Sequence, residues 1–383
     1  MKLRRVDDQI RFGLMWFNSQ TPYATSRVTA EANPDVLDVN VQMELARTAE
    51  QVGFDFLFYA DGYIGHGEAN ARIGHGEPRL SAPVWAPVAM MATSHIGVAT
   101  TLHTRYLPPA VIARLGANLD RLSGGRWAWN IVPGTKDDPL IGLPPLEHSQ
   151  RYAHAAEAVR AVKAIWDAGD GEVDFEGEFY RFKGSMMGPR PVQKPYPLLF
   201  NAGVSPAGQD LIASECDYGF FAVVDDLDKV RGPVEQLAAR AERHGRDPLE
   251  VNLVGSIGMV VGRTGEEARE RLEWIRDNLD MEAARGWAHS FLVRSKTYQD
   301  THQGDVDEVA RSVGIAAGST VLAGTAEEVA EQLLHIHRST GLRGFQILPL
   351  MWSVEELKAI GEVFPHLAKA GVWTAPEDRG WSW

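Results

Sequence analysis

The run Leu122-Ser123-Gly124-Gly125-Arg126-Trp127-Ala128-Trp129-Asn130-Ile131-Val132 decides the fold. Trp127 to Val132 is a short apolar run directly after a Ser-Gly-Gly stop, so it predicts a buried strand. Upstream, apolar residues recur at helical spacing over Ala110 to Leu122, and Pro109 falls where a first helical turn tolerates proline. One helix feeding one buried strand is half of a βα repeat, and the repeat continues in both directions. Strands are predicted at Phe12 to Phe17, Phe54 to Ala60, Ile96 to Thr101, Trp127 to Val132, Leu198 to Asn201, Gly219 to Val224, Val251 to Val261 and Gly344 to Leu350. Helices are predicted at Val39 to Val52, Ala110 to Leu122, Ser149 to Trp166, Pro206 to Ala213, Leu227 to His244, Gly265 to Asp277 and Ala326 to Ser339, the last opened by a Thr325/Glu328 capping box.

Eight such units predict an α/β protein, a TIM (β/α)8 barrel with insertions at the C-terminal face, with a doubly wound sheet as the alternative. No Ser/Gly/Pro linker or shift in composition divides the chain, so residues 1–383 are expected to form one domain. Four stretches interrupt the repeat: about 18–37, 62–87, 173–184 and 280–319. The stretch 173–184 alternates in the manner of a β-hairpin. The other three follow the first, second and seventh strands, and the last is a candidate lid.

Composition narrows the function. Hydrophobic residues at 44% and charged residues at 23% exclude a disordered chain and leave a folded enzyme or binder. A net charge of -13 opposes a nucleic-acid backbone, so no nucleic-acid partner is expected. A single cysteine, Cys216, rules out an intramolecular disulfide and a cysteine-built zinc site, and fits a cytoplasmic location. Met1 to Arg11 lacks an apolar signal core, and no stretch approaches the roughly 18 apolar residues of a membrane helix. The 11 Trp have two readings, a flat-ligand pocket or plain core packing.

No G-x-G-x-x-G, Walker loop or G-x-S-x-G elbow is present. His-Gly-Glu occurs at 66–68 and 75–77, but both copies lie in a polar glycine-containing loop without a third anchored ligand, so no metal is expected. Polar residues at the C-terminal ends of barrel strands are better candidates. Thr101 and His103 end the third strand, Asn130 the fourth and Asn201 the fifth. Asn130 interrupts an apolar run, so either neighbouring backbone or a ligand must satisfy its carboxamide. Its donor and acceptor suit the alternating edge of a flavin ring.

Gly203, Ser205, Pro206 and Gly208 lead from the fifth strand into a helix, an arrangement that favours an anion, although every βα turn resembles it. Arg151 and Tyr152, early in the preceding helix, are either a further cation and hydroxyl for that anion or a surface Arg beside a packed Tyr.

Taken together, these stretches resemble the bacterial luciferase-like flavin-dependent monooxygenases, most closely the two-component branch of pyrimidine, sulfone and alkanesulfonate monooxygenases. The resemblance rests on Gly53-Phe54-Asp55-Phe56, Leu107-Pro108-Pro109-Ala110-Val111-Ile112-Ala113-Arg114, Asp120-Arg121-Leu122-Ser123-Gly124-Gly125-Arg126 and Asn130-Ile131-Val132-Pro133-Gly134. It continues through Arg151-Tyr152, Val173-Asp174-Phe175-Glu176-Gly177, Asn201-Ala202-Gly203-Val204-Ser205-Pro206-Ala207-Gly208 and Leu322-Ala323-Gly324-Thr325. Two departures stand out. Pro133-Gly134-Thr135-Lys136-Asp137-Asp138 replaces the commoner Ser/Thr-Gly-Trp and following acid, and Cys216 lies far from the cysteine that the sulfonate branch carries after its second strand.

The resemblance implies a cofactor, FMN taken as FMNH2 from a separate NAD(P)H:flavin reductase, with O2 as co-substrate. It implies an oxidoreductase that oxidises a small N-heterocycle or organosulfur compound through a flavin peroxide or hydroperoxide, and a homo-oligomer, dimer or tetramer. Asn130 and Thr101 would lie at the flavin ring, Arg151, Tyr152, Gly203 and Ser205 at the phosphate, and Asp61 and Gly62 at a further flavin contact whose identities differ from the family's. From position alone, His103 is the candidate catalytic acid or base. Phe17, Tyr63 and Trp352 are candidate substrate walls, and Arg294 is a candidate contact from the lid. The alternatives are an F420-dependent oxidoreductase of the same superfamily, a non-catalytic flavin-binding barrel, and a structural α/β protein with no cofactor.

Overall fold

The computed structural model describes residues 7–134, 140–294 and 305–381, without the side chains of 291, 293 and 294. Strands β1 (Arg11–Met15), β2 (Phe56–Tyr59), β3 (Gly97–His103) and β4 (Trp127–Val132) pair side by side in parallel. A two-stranded antiparallel hairpin, β5 (Val173–Glu176) and β6 (Arg181–Gly184), then intervenes. The parallel series resumes with β7 (Leu198–Asn201), β8 (Tyr218–Ala222) and β9 (Asn252–Val261). β10 (Val321–Gly324) and β11 (Gly344–Pro349) follow, and β11 pairs with both β9 and β1, closing an eight-stranded ring. This is the predicted TIM barrel, and each of the eight predicted strands lies in its wall.

β10 is additional. β9 is ten residues long and buried throughout; its first half pairs with β8 and its second half with β10, which extends the wall beyond the end of β8. Val-Leu-Ala-Gly is too short to announce a strand by its own pattern.

The helices α1 (Arg27–Ala32), α2 (Val39–Val52), α3 (Glu68–Arg72), α4 (Ala82–Ala92), α5 (Pro109–Leu122), α6 (His148–Asp167), α7 (Pro206–Glu215), α8 (Leu227–Arg243), α9 (Gly265–Asp277) and α10 (Met281–Arg294) come next in chain order. Four more, Val306–Val313, Ala326–Thr340, Val354–Gly361 and Phe364–Lys369, complete the described set. α4 starts inside the stretch 62–87; it carries prolines and apolar residues on every side, so it shows no amphipathic period to read.

The opening stretch shows how sequence becomes packing. Gly124 and Gly125 take φ of 68° and 91°, left-handed values that let the chain turn from α5 into β4. Trp127 then lies beneath Gly116 of α5, where a Cβ would meet the indole at 2.3 Å, and its Nε1 donates to Thr100 Oγ1 at 2.7 Å. Trp127 and Trp129 thus point outward into the layer between strands and helices. Their neighbour Ala128 points inward, joining Phe56, Phe58, Ala99, Leu198, Phe200, Tyr218 and Val254 in the barrel interior. Phe200 and Tyr218 stack there at 4.7 Å, and Phe58 meets Phe220 edge-on at 4.8 Å. This aromatic layer is the floor on which the strand-end polar residues stand. Trp16, Trp127 and Trp129 are core packing, and Trp373 stacks on Phe364 at 5.1 Å beside Gly53.

Candidate functional site

Asn130 lies two residues beyond inward-facing Ala128 on β4 and so shares its side of the wall. It is register partner of Thr101 on β3. Its Nδ2 donates to Thr101 Oγ1 at 2.8 Å, and Thr101 in turn donates to the Tyr59 carbonyl at 2.9 Å. Asn130 is 3% exposed, yet its Oδ1 has no hydrogen-bond partner. An unmet buried carbonyl costs about 1–3 kcal/mol, and a ligand N–H aimed at it removes that cost. Asn18, just past β1, repeats the arrangement: Nδ2 donates to the Ala60 carbonyl at 2.5 Å while the buried Oδ1 is unpartnered. Sequence reading missed Asn18; a buried Asn at a strand end was the available signal.

At the end of β3 the His103 ring stacks on Tyr106 at 4.8 Å and meets the exposed Tyr63 edge-on at 5.2 Å. His103 Nε2 lies 3.4 Å from the Asp61 carbonyl. The Asp61 carboxylate turns the other way, accepting from Gly62 N and Ala82 N at 2.8 Å each, and so holds the start of α4. Burial pushes its carboxyl up from the ordinary value. A Cβ on Gly62 would meet nothing within 4 Å, so the backbone there borders open space.

A second centre forms where β7 runs into α7. Asn201 closes the turn, donating from Nδ2 to the Ile131 carbonyl at 2.7 Å and accepting Gly203 N at 2.8 Å. Gly203 and Gly208 pack backbone to backbone; a Cβ on Gly203 would stand 2.4 Å from Gly208 Cα. Ser205 caps α7 by accepting Gly208 N at 3.2 Å, and it lies beside the Tyr152 phenol, which burial pushes up and the serine pulls back. Arg151, only 8% exposed, donates from Nη1 to the Gly134 carbonyl at 2.6 Å, while its buried Nε is unpartnered. A helix N-terminus, two hydroxyls and a buried cation are the elements of an anion site.

The hairpin leans on the same place. Glu157 of α6, nearly fully buried, accepts three backbone N–H groups of the turn: Glu178 at 2.9 Å, Phe179 at 2.8 Å and Tyr180 at 2.7 Å. Gly177 has no room for a Cβ beside that carboxylate. The clamp sets the Tyr180 hydroxyl 2.9 Å from His154 Nε2 and lets it donate to the Thr104 carbonyl at 3.3 Å.

Phe17 and Trp352 stack on each other at 5.2 Å and are both sealed, with Trp16 edge-on to Trp352 at 5.7 Å. Arg294 ends α10, and its side chain lies outside the described residues. His66 and His75 stand 5.5 Å apart, engaged with Ser290 and Asn70 respectively. Among the described residues no group of three His, Cys, Asp or Glu is placed to hold a metal. Nor is any helix among them long and apolar enough to cross a membrane.

An apolar floor, an unmet carbonyl above it and an anion cradle at the next strand end together fit a flat ring with a polar edge and a phosphate tail, the shape of FMN.

The chain resembles dibenzothiophene-sulfone monooxygenase from Rhodococcus erythropolis, with 27% identity over 89% of this chain and 88% of the relative. It is 27% identical to the FMNH2-dependent dimethylsulfone monooxygenase of Pseudomonas putida, over 83% of this chain and 90% of that one. Its fold matches the crystal structure of riboflavin lyase with modified FMN and riboflavin, at a TM-score of 0.88 and 23% identity over 96% and 93% of the two chains. The model of the luciferase-like monooxygenase family matches residues 10–343, so the chain belongs to that family and is a flavin-dependent monooxygenase.

Proposed function

We propose that the chain is the oxygenase of a two-component system, working on FMNH2 delivered by a separate NAD(P)H:flavin reductase in the cytoplasm. The observation that carries this is the pairing of the unmet Asn130 carbonyl with the Arg151, Tyr152 and Ser205 cradle. Asn130 and Thr101 hold the ring edge, with Gly62 at open space beside it; Arg151, Tyr152, Ser205 and the Gly203 turn hold the phosphate. FMNH2 supplies two electrons for O2, so that one oxygen atom enters the substrate and the other leaves as water.

The protein orients the substrate and excludes water. His103 stands with Tyr63 and Tyr106 at the end of β3, where an imidazole holds or moves a proton at the substrate. The substrate class that the named relatives support is an organosulfur compound such as a sulfone, ahead of an N-heterocycle. Self-association belongs to the same proposal. α4 presents Val84 and Met91, each 67% exposed and seven residues apart on one face, and Val84→Glu with Met91→Glu is expected to lower the oligomeric state in light scattering.

The test supplies FMNH2 from an added reductase, with dibenzothiophene sulfone and dimethylsulfone as probes under 18O2. Incorporation of one 18O into product supports the proposal. Oxygen consumption that ends only in hydrogen peroxide, with these probes and a panel of N-heterocycles, overturns it.

A further inference from the structure

We infer that Arg105 is a specificity-determining residue that makes the anion cradle select a phosphorylated flavin over the bare riboflavin skeleton. The inference rests on the flavin reading above and concerns a residue that reading does not use. Arg105 follows β3 by two residues, and its aliphatic stem runs along Gly134, 3.3 Å from where a Cβ would stand. Arg151 donates to the carbonyl of that same glycine, so the Arg105 stem and the Arg151 guanidinium meet at one residue, close enough for the two charges to act on each other. Gly134 takes φ of 83°, and an alanine there would both strain the backbone and push on the Arg105 stem.

Both cations have capacity to spare. Arg105 donates from Nη2 to the Pro144 carbonyl, while its buried Nη1 is unpartnered; Arg151 Nε is buried and unpartnered as well. Among the described residues no carboxylate forms an ion pair with either. Glu147, at the start of α6, acts on Arg151 through its charge, and its side chain closes a capping box with Gln150. Glu157, on the hairpin side, is occupied by its three backbone donors. His148 and His154 add imidazoles, both held below the ordinary value by burial and then by Arg151 and Arg105 respectively. Among the described residues the result is a cationic concentration in which neither guanidinium is ion-paired to a carboxylate. Two guanidinium forks with free N–H groups suit the several oxygens of a phosphate dianion. Riboflavin ends in a neutral hydroxyl and leaves both forks unmet.

Arg105→Met keeps the stem against Gly134 and removes the fork. Flavin fluorescence titrations with FMN and riboflavin, alongside 31P line broadening with inorganic phosphate, are run on the wild-type chain and this variant. The expected result is a loss of FMN affinity on the order of tenfold or more, the range of a charged hydrogen bond, with riboflavin affinity unchanged and phosphate broadening lost. Equal losses for FMN and riboflavin, or phosphate broadening that survives in the variant, overturn the inference. Arg105-dependent phosphate binding in a chain that binds neither flavin would sink the flavin reading and leave the anion assignment standing.

Discussion

Asp55 and Arg379 form an ion pair at 2.5 Å, with side chains 1% and 7% exposed, across a separation of 324 residues. The other Asp55 oxygen accepts Phe12 N at 2.7 Å, so this carboxylate ties the start of β1 to the C-terminal tail. Burial pushes its carboxyl up and Arg379 pulls it back. Arg379→Met strands a buried charge and is expected to cost about 3–5 kcal/mol at neutral pH. Without the cation the carboxyl rises further above its unfolded value. A raised folded value means that the penalty of ionisation is relieved as pH falls, so the gap between variant and wild type narrows toward acid. Urea midpoints at several pH values check this, and a gap that stays constant from neutral to acid pH contradicts it.

Asn130→Ala separates stability from binding. The orphan Oδ1 is a cost of the ligand-free fold, so its removal offsets much of the lost packing, and the melting temperature is expected to move by only a few degrees. FMN affinity is expected to fall about tenfold, as for one lost hydrogen bond in a buried site. Calorimetry for stability and fluorescence titration for FMN read the two effects independently. A large stability loss with unchanged binding would make Asn130 a packing residue.

The barrel wall was legible because buried parallel strands are short apolar runs between glycine stops, as Trp127 to Val132 shows. What patterning hides is any element without contrast. α4 is apolar all round, and β10 is four residues long. Strand-end side chains were legible by type but not by direction. Asp61 could be placed beside the site, but its carboxylate serves α4, and Phe17 with Trp352 form a sealed stack. Arg105 escaped notice because its role depends on Gly134 and α6 converging on it, which no local spacing records.

Gly203→Ala tests the cradle by volume alone. The methyl would stand 2.4 Å from Gly208 Cα, so either the β7–α7 turn or the first turn of α7 must shift. Overpacking of this kind costs about 1–3 kcal/mol, and the displaced Ser205 cap loses its line to Tyr152. The expected outcome is a modest fall in melting temperature with a larger loss of FMN than of riboflavin affinity. Equal retention of both flavins would remove the turn from the phosphate site.

His75 makes the acid limit of stability a property of one joint. Its ring is 1% exposed, packs 4.3 Å from Trp287 of α10 and shares a 3.0 Å hydrogen bond with Asn70 of α3. Burial first, then the nearby His66 and Arg79, hold its imidazole well below the ordinary value. A depressed folded value means that the contribution is whole above about pH 6.5 and is lost as pH falls below it, since the unfolded chain takes up the proton first. Wild-type stability should therefore decline from about pH 6.5 downward, and His75→Gln should flatten that decline. Hydrogen exchange resolves where: amides of α3 and α10 are expected to lose protection at acid pH in the wild type ahead of the barrel strands, and to keep it in the variant. An acid limb of equal slope in both proteins would mean that other groups set it.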